Sequence, residues 1–163
     1  MELDELYGKP GHLIRRMQQI AVAIFLEECA AFDLTPVQYA ALVAIGARPG
    51  IDATRLSSLV AFDRSTLGSV IGRLEAKGYI ERQPSETDSR AKLLSLTASG
   101  RALLEAATPA VERAQLRMLK PLDAADQRVL IQMLVNLIDL NHQTTRPPRR
   151  LAKGAKSGAA LAE

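Results

Sequence analysis

Apolar residues recur at helical spacing through residues 13–26, at Leu13, Met17, Ile20 and Ile24, while Arg15, Arg16, Gln18 and Gln19 fall off that stripe. The pattern predicts an amphipathic first helix. Its second half, 20–26, is apolar nearly all round, as expected of a helix covered on more than one side, for instance by a partner subunit. Leu34-Thr35-Pro36-Val37-Gln38 opens a second helix: Thr35 caps it, Pro36 suits its first position, and Gln38 reaches back to complete a capping box. The breaker Ala47-Arg48-Pro49-Gly50 ends it. Asp52 caps a short third helix carrying Leu56, Leu59 and Val60, and Asp63 caps a fourth, whose stripe Leu67, Val70, Ile71 and Leu74 runs to Lys77-Gly78. Residues 79–83 read as a short strand, 84–91 as an exposed polar loop, and 93–96 as a second strand. Thr97 opens a long helix to about residue 119, with Pro109 as an expected kink, and Asp123 opens another to about residue 140.

The order helix, turn, helix, strand, polar loop, strand is that of a winged helix-turn-helix. The fold class expected is therefore mainly α with a small β-hairpin wing, flanked by terminal helices. Its DNA-binding module would occupy 34–97, and the helices of 10–33 and 98–141 would form a dimerisation region. The tail, 142–163, mixes Pro-Pro, Gly, Ala and scattered cations and is expected to be disordered.

Composition narrows the class without deciding function. The 163 residues are 47% hydrophobic and 24% charged, with no apolar run near the roughly 18 residues of a membrane span. No basic, then apolar, leader opens the chain, and its single cysteine, Cys29, has no internal partner, so a cytoplasmic location is expected. The pI near 9.2 is misleading as a DNA-binding signal. Five of the 21 basic residues lie beyond position 141 against one of the 18 acidic ones, so the body carries 16 basic and 17 acidic side chains. Binding to nucleic acid must then rest on where particular cations sit.

On the fourth helix, Ser65, Ser69 and Arg73 recur every four residues opposite the apolar stripe, with Arg64 and Thr66 at its amino end. Short hydroxyls can approach base edges closely, and arginine can bind guanine or phosphate through two donors. Taken alone, the same face would equally suit a solvated helix. Gly68 and Gly72 each cost a helix about 1 kcal/mol relative to alanine, which points to DNA or a neighbouring helix close to the backbone there.

The loop changes the balance. Asp88-Ser89-Arg90-Ala91-Lys92-Leu93-Leu94-Ser95-Leu96-Thr97 resembles the Asp-x-Arg and terminal Leu-Thr signature of the MarR family of bacterial regulators. The segment from Asp63-Arg64-Ser65-Thr66-Leu67 through Gly78-Tyr79-Ile80-Glu81-Arg82 is similar to that family's recognition helix and first wing strand, and 34–42 to its second helix. The resemblance spans roughly residues 10–141. It implies a transcription regulator, a repressor and not an enzyme, that binds a pseudo-palindromic double-stranded DNA operator as a homodimer. A small aromatic or carboxylate effector would release it, and no cofactor or membrane contact is implied. In that picture Arg64, Ser65, Thr66, Ser69, Arg73, Arg90 and Lys92 face DNA. Arg90 enters an A·T-rich minor groove, and Asp88 supports it, since a carboxylate is repelled by phosphate.

Family members commonly bind effectors between the dimerisation helices and the winged module. His12, Arg15, Arg16, Gln19, Gln38 and Tyr39 are the polar groups available at that junction, with Arg16 the first choice to pair with a carboxylate; the other reading of these residues is a solvated helix face. Cys29 follows Glu27 and Glu28, which oppose thiolate formation, so a buried structural thiol is expected in preference to a peroxide sensor. With only His12 and His142, no Cys/His cluster and no Gly-rich phosphate loop, no catalytic or metal set is assembled. Two other classes stay open. A winged module used only for protein contacts would not need the cationic, hydroxyl-bearing face, and a small hydrolase would need a nucleophile and base that the sequence lacks.

Overall fold

Five helix starts are set by local cap chemistry, among them the one where Asp52 Oδ1 accepts from the Arg55 amide at 2.9 Å. Thr35 accepts a hydrogen bond from the Gln38 amide at 3.3 Å while its own amide donates to Gln38 Oε1 at 2.9 Å, the reciprocal pair expected from the sequence. Asp63 accepts from the amides of Ser65 and Thr66, Thr97 from that of Gly100, and Asp123 from those of Ala125 and Asp126. Each cap satisfies donors that the first helical turn leaves unpaired.

The computed structural model describes residues 3–60, 62–84 and 92–144. Its elements run α1 (Leu3–Tyr7), α2 (Pro10–Glu28), a 3-10 turn (Ala30–Phe32), α3 (Pro36–Ala47), β1 (Ile51–Asp52), α4 (Ala53–Val60) and α5 (Arg64–Ala76). The wing strands β2 (Ile80–Pro84) and β3 (Lys92–Leu96) follow, then α6 (Ala98–Leu119) and α7 (Ala124–Thr144). Three features differ from the sequence reading. The first helix is longer at both ends and preceded by α1. The last continues through Thr144, where a disordered tail was expected to have begun. A third strand, β1, pairs with β3 through Ile51 and Leu94, giving an antiparallel sheet in the order β1-β3-β2. Pro109 lies on an exposed position of α6 and does not end it.

Residues up to Pro121 form one compact unit and those from Leu122 a second. In the first, the side chains of Leu42 and Ile45 from α3, Leu56 from α4, Leu67 and Leu74 from α5, and Leu94 from β3 are almost fully enclosed. These positions are the apolar stripes of the sequence meeting one another, each side chain worth about 1.5–3 kcal/mol of burial. In the second, α7 is an apolar helix whose Val129, Met133, Leu134, Leu137 and Ile138 are exposed.

The junction between α5, the β2–β3 hairpin and α6 is especially close. Gly78, in the left-handed region at φ 71°, ends the turn after α5. Its carbonyl accepts from Thr97 Oγ1 at 2.7 Å and Ser99 Oγ at 2.8 Å, and the Tyr79 carbonyl accepts from the Thr97 amide at 3.1 Å. Gly100 sits directly against that Tyr79 carbonyl, so that a Cβ at Gly100 would overlap its oxygen. We expect Gly100→Ala to destabilise the fold by about 3 kcal/mol through this overlap, measured by urea unfolding. A loss no larger than that of an exposed glycine-to-alanine change would contradict the described contact.

Candidate nucleic-acid interface and adjoining cavity

The helix α5 is anchored on one side only. Leu67, Val70, Ile71 and Leu74 are buried, whereas Ser65, Thr66, Ser69 and Arg73 are exposed. Its amino end is held by Asp63, whose Oδ1 accepts from the amides of Ser65 at 3.0 Å and Thr66 at 2.9 Å, and whose Oδ2 accepts from the Thr66 hydroxyl at 2.6 Å. These donors, the Thr66 side chain foremost, hold the Asp63 carboxyl down to about 2 from an ordinary 3.8. At the other end, Lys77 Nζ meets Asp33 Oδ2 at 2.6 Å, and Arg82 Nε of β2 meets Glu75 Oε2 at 2.8 Å, tying helix to wing.

The expected DNA-facing residues divide. Ser65 lies on the outer side with Gly68 and Gly72, and beyond the helix's own backbone and chain neighbours no atom of the described residues stands within 4 Å of a Cβ at either glycine. Of the two explanations for these glycines, a neighbouring helix is therefore not the one found. Thr66, Ser69 and Arg73 lie on the flank, where they also line a cavity of about 690 Å³. Lys92 is exposed at the start of β3, opposite Pro84. The backbone of Arg64 begins α5; its side chain, with Asp88 and Arg90, lies outside the described residues.

The cavity is bounded by α2, α3, α5 and α6. Val22, Phe25, Val37, Val70 and Met118 supply apolar wall, and Gln18 and Gln115 supply neutral polar groups. The sequence reading missed most of these residues. Helical spacing carried a signal for them: Gln18, Val22 and Phe25 share one face of α2, and Thr66, Ser69 and Arg73 one flank of α5.

In the single chain the six residues expected to bind an effector lie at several different places. Gln38 is buried and its Oε1 is committed to the Thr35 amide. Tyr39 packs its ring 6.1 Å from that of Phe25, and its hydroxyl lies 3.4 Å from Thr108 Oγ1. His12 and Arg16 border a shallow cleft with Tyr7, Leu13, Met17 and Ile20, while Arg15 and Gln19 border another with Gln18 and Val22. Successive residues of one helix point about 100° apart, so sequence proximity did not bring them together. Cys29 is buried; burial pushes its thiol up, Glu28 adds to this, and Arg113 opposes it. This is an environment unsuited to a reactive thiolate.

Among the described residues, no cluster of three His, Cys, Asp or Glu side chains could hold a metal ion, and no helix is long and apolar enough to cross a membrane.

The MarR family model matches residues 32–91. Over 134 residues the chain is 30% identical to the transcriptional regulator HosA of Escherichia coli O157:H7, covering 82% of this chain and 98% of the relative. Among solved structures it is similar to the PcaV regulator of Streptomyces coelicolor in complex with its natural ligand, with a TM-score of 0.78 and 32% identity over 85% of this chain and 98% of that one. The Bordetella bronchiseptica regulator BpsR, whose DNA binding is regulated by 6-hydroxynicotinic acid, matches with a TM-score of 0.77 and 30% identity over 81% of this chain and 94% of that one. The repressor CouR bound to a 23-mer DNA duplex matches with a TM-score of 0.77 and 29% identity, over 85% of this chain and 98% of that one.

One property of the site is open to direct titration. A carboxyl held low in the folded protein stabilises it above its unfolded value and ceases to do so as pH falls through its folded one. The cap on α5 is therefore expected to persist below pH 3.8 and to be lost near pH 2, read as the midpoint of the Asp63 carboxyl resonance by NMR. A midpoint near 3.8 would mean that the cap does not form in solution.

Proposed function

The chain belongs to the MarR family of transcriptional regulators, and on that premise we propose that it is a homodimeric repressor that binds a pseudo-palindromic operator and is released by a small molecule seated in the α2/α3/α5/α6 cavity. The observation that carries the reading is the α5 surface: an Asp63-capped helix with its apolar stripe buried and its hydroxyls and Arg73 exposed, followed at once by a β-hairpin wing. That is the order in which a winged module lays one helix in the major groove and its wing beside the minor groove. CouR, similar in fold, is bound to a DNA duplex. On this reading Ser65, Ser69 and Arg73 meet base edges or phosphates, and Lys92 and Arg90 contribute wing cations.

Two-fold pairing follows from exposed apolar surface. Leu13, Ile14, Met17 and Ile20 on α2 and the row Val129, Met133, Leu134, Leu137 and Ile138 on α7 are about half exposed in the single chain. A stable soluble protein covers such rows, and a second copy offers the matching ones. The effector reading draws on the cavity and on PcaV and BpsR, whose ligands are a natural ligand and 6-hydroxynicotinic acid respectively.

Selection from a random duplex library is expected to enrich an inverted repeat; enrichment of no sequence would refute operator recognition. On that duplex, Ser65→Asp should weaken binding by about tenfold or more, since it sets a negative charge against phosphate, while leaving the fold at least as stable, because an acidic residue in the first turn suits the helix dipole. Fluorescence anisotropy and thermal unfolding separate the two effects, and unchanged affinity would remove the amino end of α5 from the interface. Sedimentation at micromolar concentration should give a dimer; a monomer mass would refute the pairing.

A further inference from the structure

Positive charge is unevenly distributed along this chain. The winged module, 34–97, carries eight basic and six acidic residues, and three of its cations, Arg55, Lys77 and Arg82, stand within 3.5 Å of a carboxylate oxygen. Opposite charges that close largely cancel at a distance. The 19 residues that follow α7, 145–163, carry Arg146, Arg149, Arg150, Lys153 and Lys156 against the single acid Glu163, a net +4. That exceeds the +3 of the whole chain, so everything before it is slightly acidic. These residues lie outside the described ones; their order and charge are those of the sequence.

Composition narrows what such a segment can bind. A run of cations with one acid calls for a polyanion. Duplex DNA presents about one phosphate charge per 1.7 Å of its axis, and each cation that neutralises one releases a counterion, a gain that does not depend on base sequence. The segment has no aromatic side chain to stack on unpaired bases, which disfavours single strands. Its only large apolar side chains are Leu151 and Leu161, too few to add an apolar anchor to the charge at a lipid surface. We propose that residues 145–163 make a second, sequence-independent DNA contact, their five cations lying along phosphates that flank the operator. The proposal rests on the reading of the chain as an operator-binding regulator. From the end of α7 these residues can extend up to about 60 Å, and two copies in a dimer double the number of cations. The work is then divided. The winged module, with a net charge of only +2, discriminates between sequences, while the tails raise affinity for any duplex.

The test compares the full chain with two full-length variants, one with all five tail cations replaced by Gln and one with Arg146, Arg149 and Arg150 replaced by Lys. Fluorescence anisotropy at several salt concentrations reads binding to three duplexes: the enriched operator with long flanks, the same operator trimmed of them, and a random sequence of the longer length. The Gln variant is expected to bind both long duplexes about tenfold or more weakly, with a salt slope shallower by about three or more. Its ratio of operator to random affinity should match the parent's, and its loss on the trimmed operator should be smaller. The Lys variant, which keeps the charge, should bind as the parent does. Circular dichroism and sedimentation verify fold and assembly. Parental affinity and salt slope in the Gln variant would overturn the proposal. A loss confined to the operator would overturn it too, since the tail would then be reading bases. So would unchanged DNA binding together with release from phosphatidylcholine and phosphatidylserine vesicles, which would make the partner a lipid surface. If the library yields no operator, the regulator reading falls by itself, and the tail contact is decided on the random duplex.

Discussion

The recognition helix is held by four buried side chains, Leu67, Val70, Ile71 and Leu74, and what the protein can do at α5 depends on that narrow attachment. An apolar stripe this wide leaves the outer face and both flanks free for polar groups. It also imposes an angular division. Residues opposite the stripe, such as Ser65, point outward, while Thr66 and Arg73, a quarter turn round, border both the outer surface and the cavity. A helix anchored on two faces could not have served both.

Helix starts were legible in the sequence because capping is local: Thr35, Asp63, Thr97 and Asp123 lie within three residues of the amides they satisfy. The wing was legible for a similar reason, since two short extended runs about a polar, turn-rich loop suffice to mark a hairpin. The strand β1 was not. Its two residues, Ile51 and Asp52, are extended by pairing with Leu94 and Leu93, some forty residues away, and nothing in their own neighbourhood distinguishes them from a turn. The carboxyl end of α7 was placed too far inward because helix ends fray without a fixed signal, and α2 starts ahead of its apolar stripe, at Pro10, a residue suited to the first helical position.

The candidate site was half legible. Spacing alone identified the polar surface of α5, but it could not say which part of that surface faces a cavity, because that depends on where α2 and α6 lie. The expected effector residues are dispersed for a related reason. Polarity nominated them, and in the fold Gln38 serves a helix cap while Tyr39 packs on Phe25 and contacts Thr108, partners that are visible only once the helices are placed. Cys29 shows the opposite case: its acidic neighbours already argued for an inert thiol, and burial strengthens the same conclusion.

The closeness of Gly100 to the Tyr79 carbonyl has a consequence for how this chain can change over time. Every other amino acid has a Cβ, so each of the nineteen replacements at position 100 meets the same oxygen, whatever its chemistry. No gradual path of conservative exchanges leads away from glycine there. Drift at the polar positions of α5, where new operators and new ligands would be explored, is free of that restriction, so the protein can vary what it recognises while the joint behind the recognition helix stays as it is.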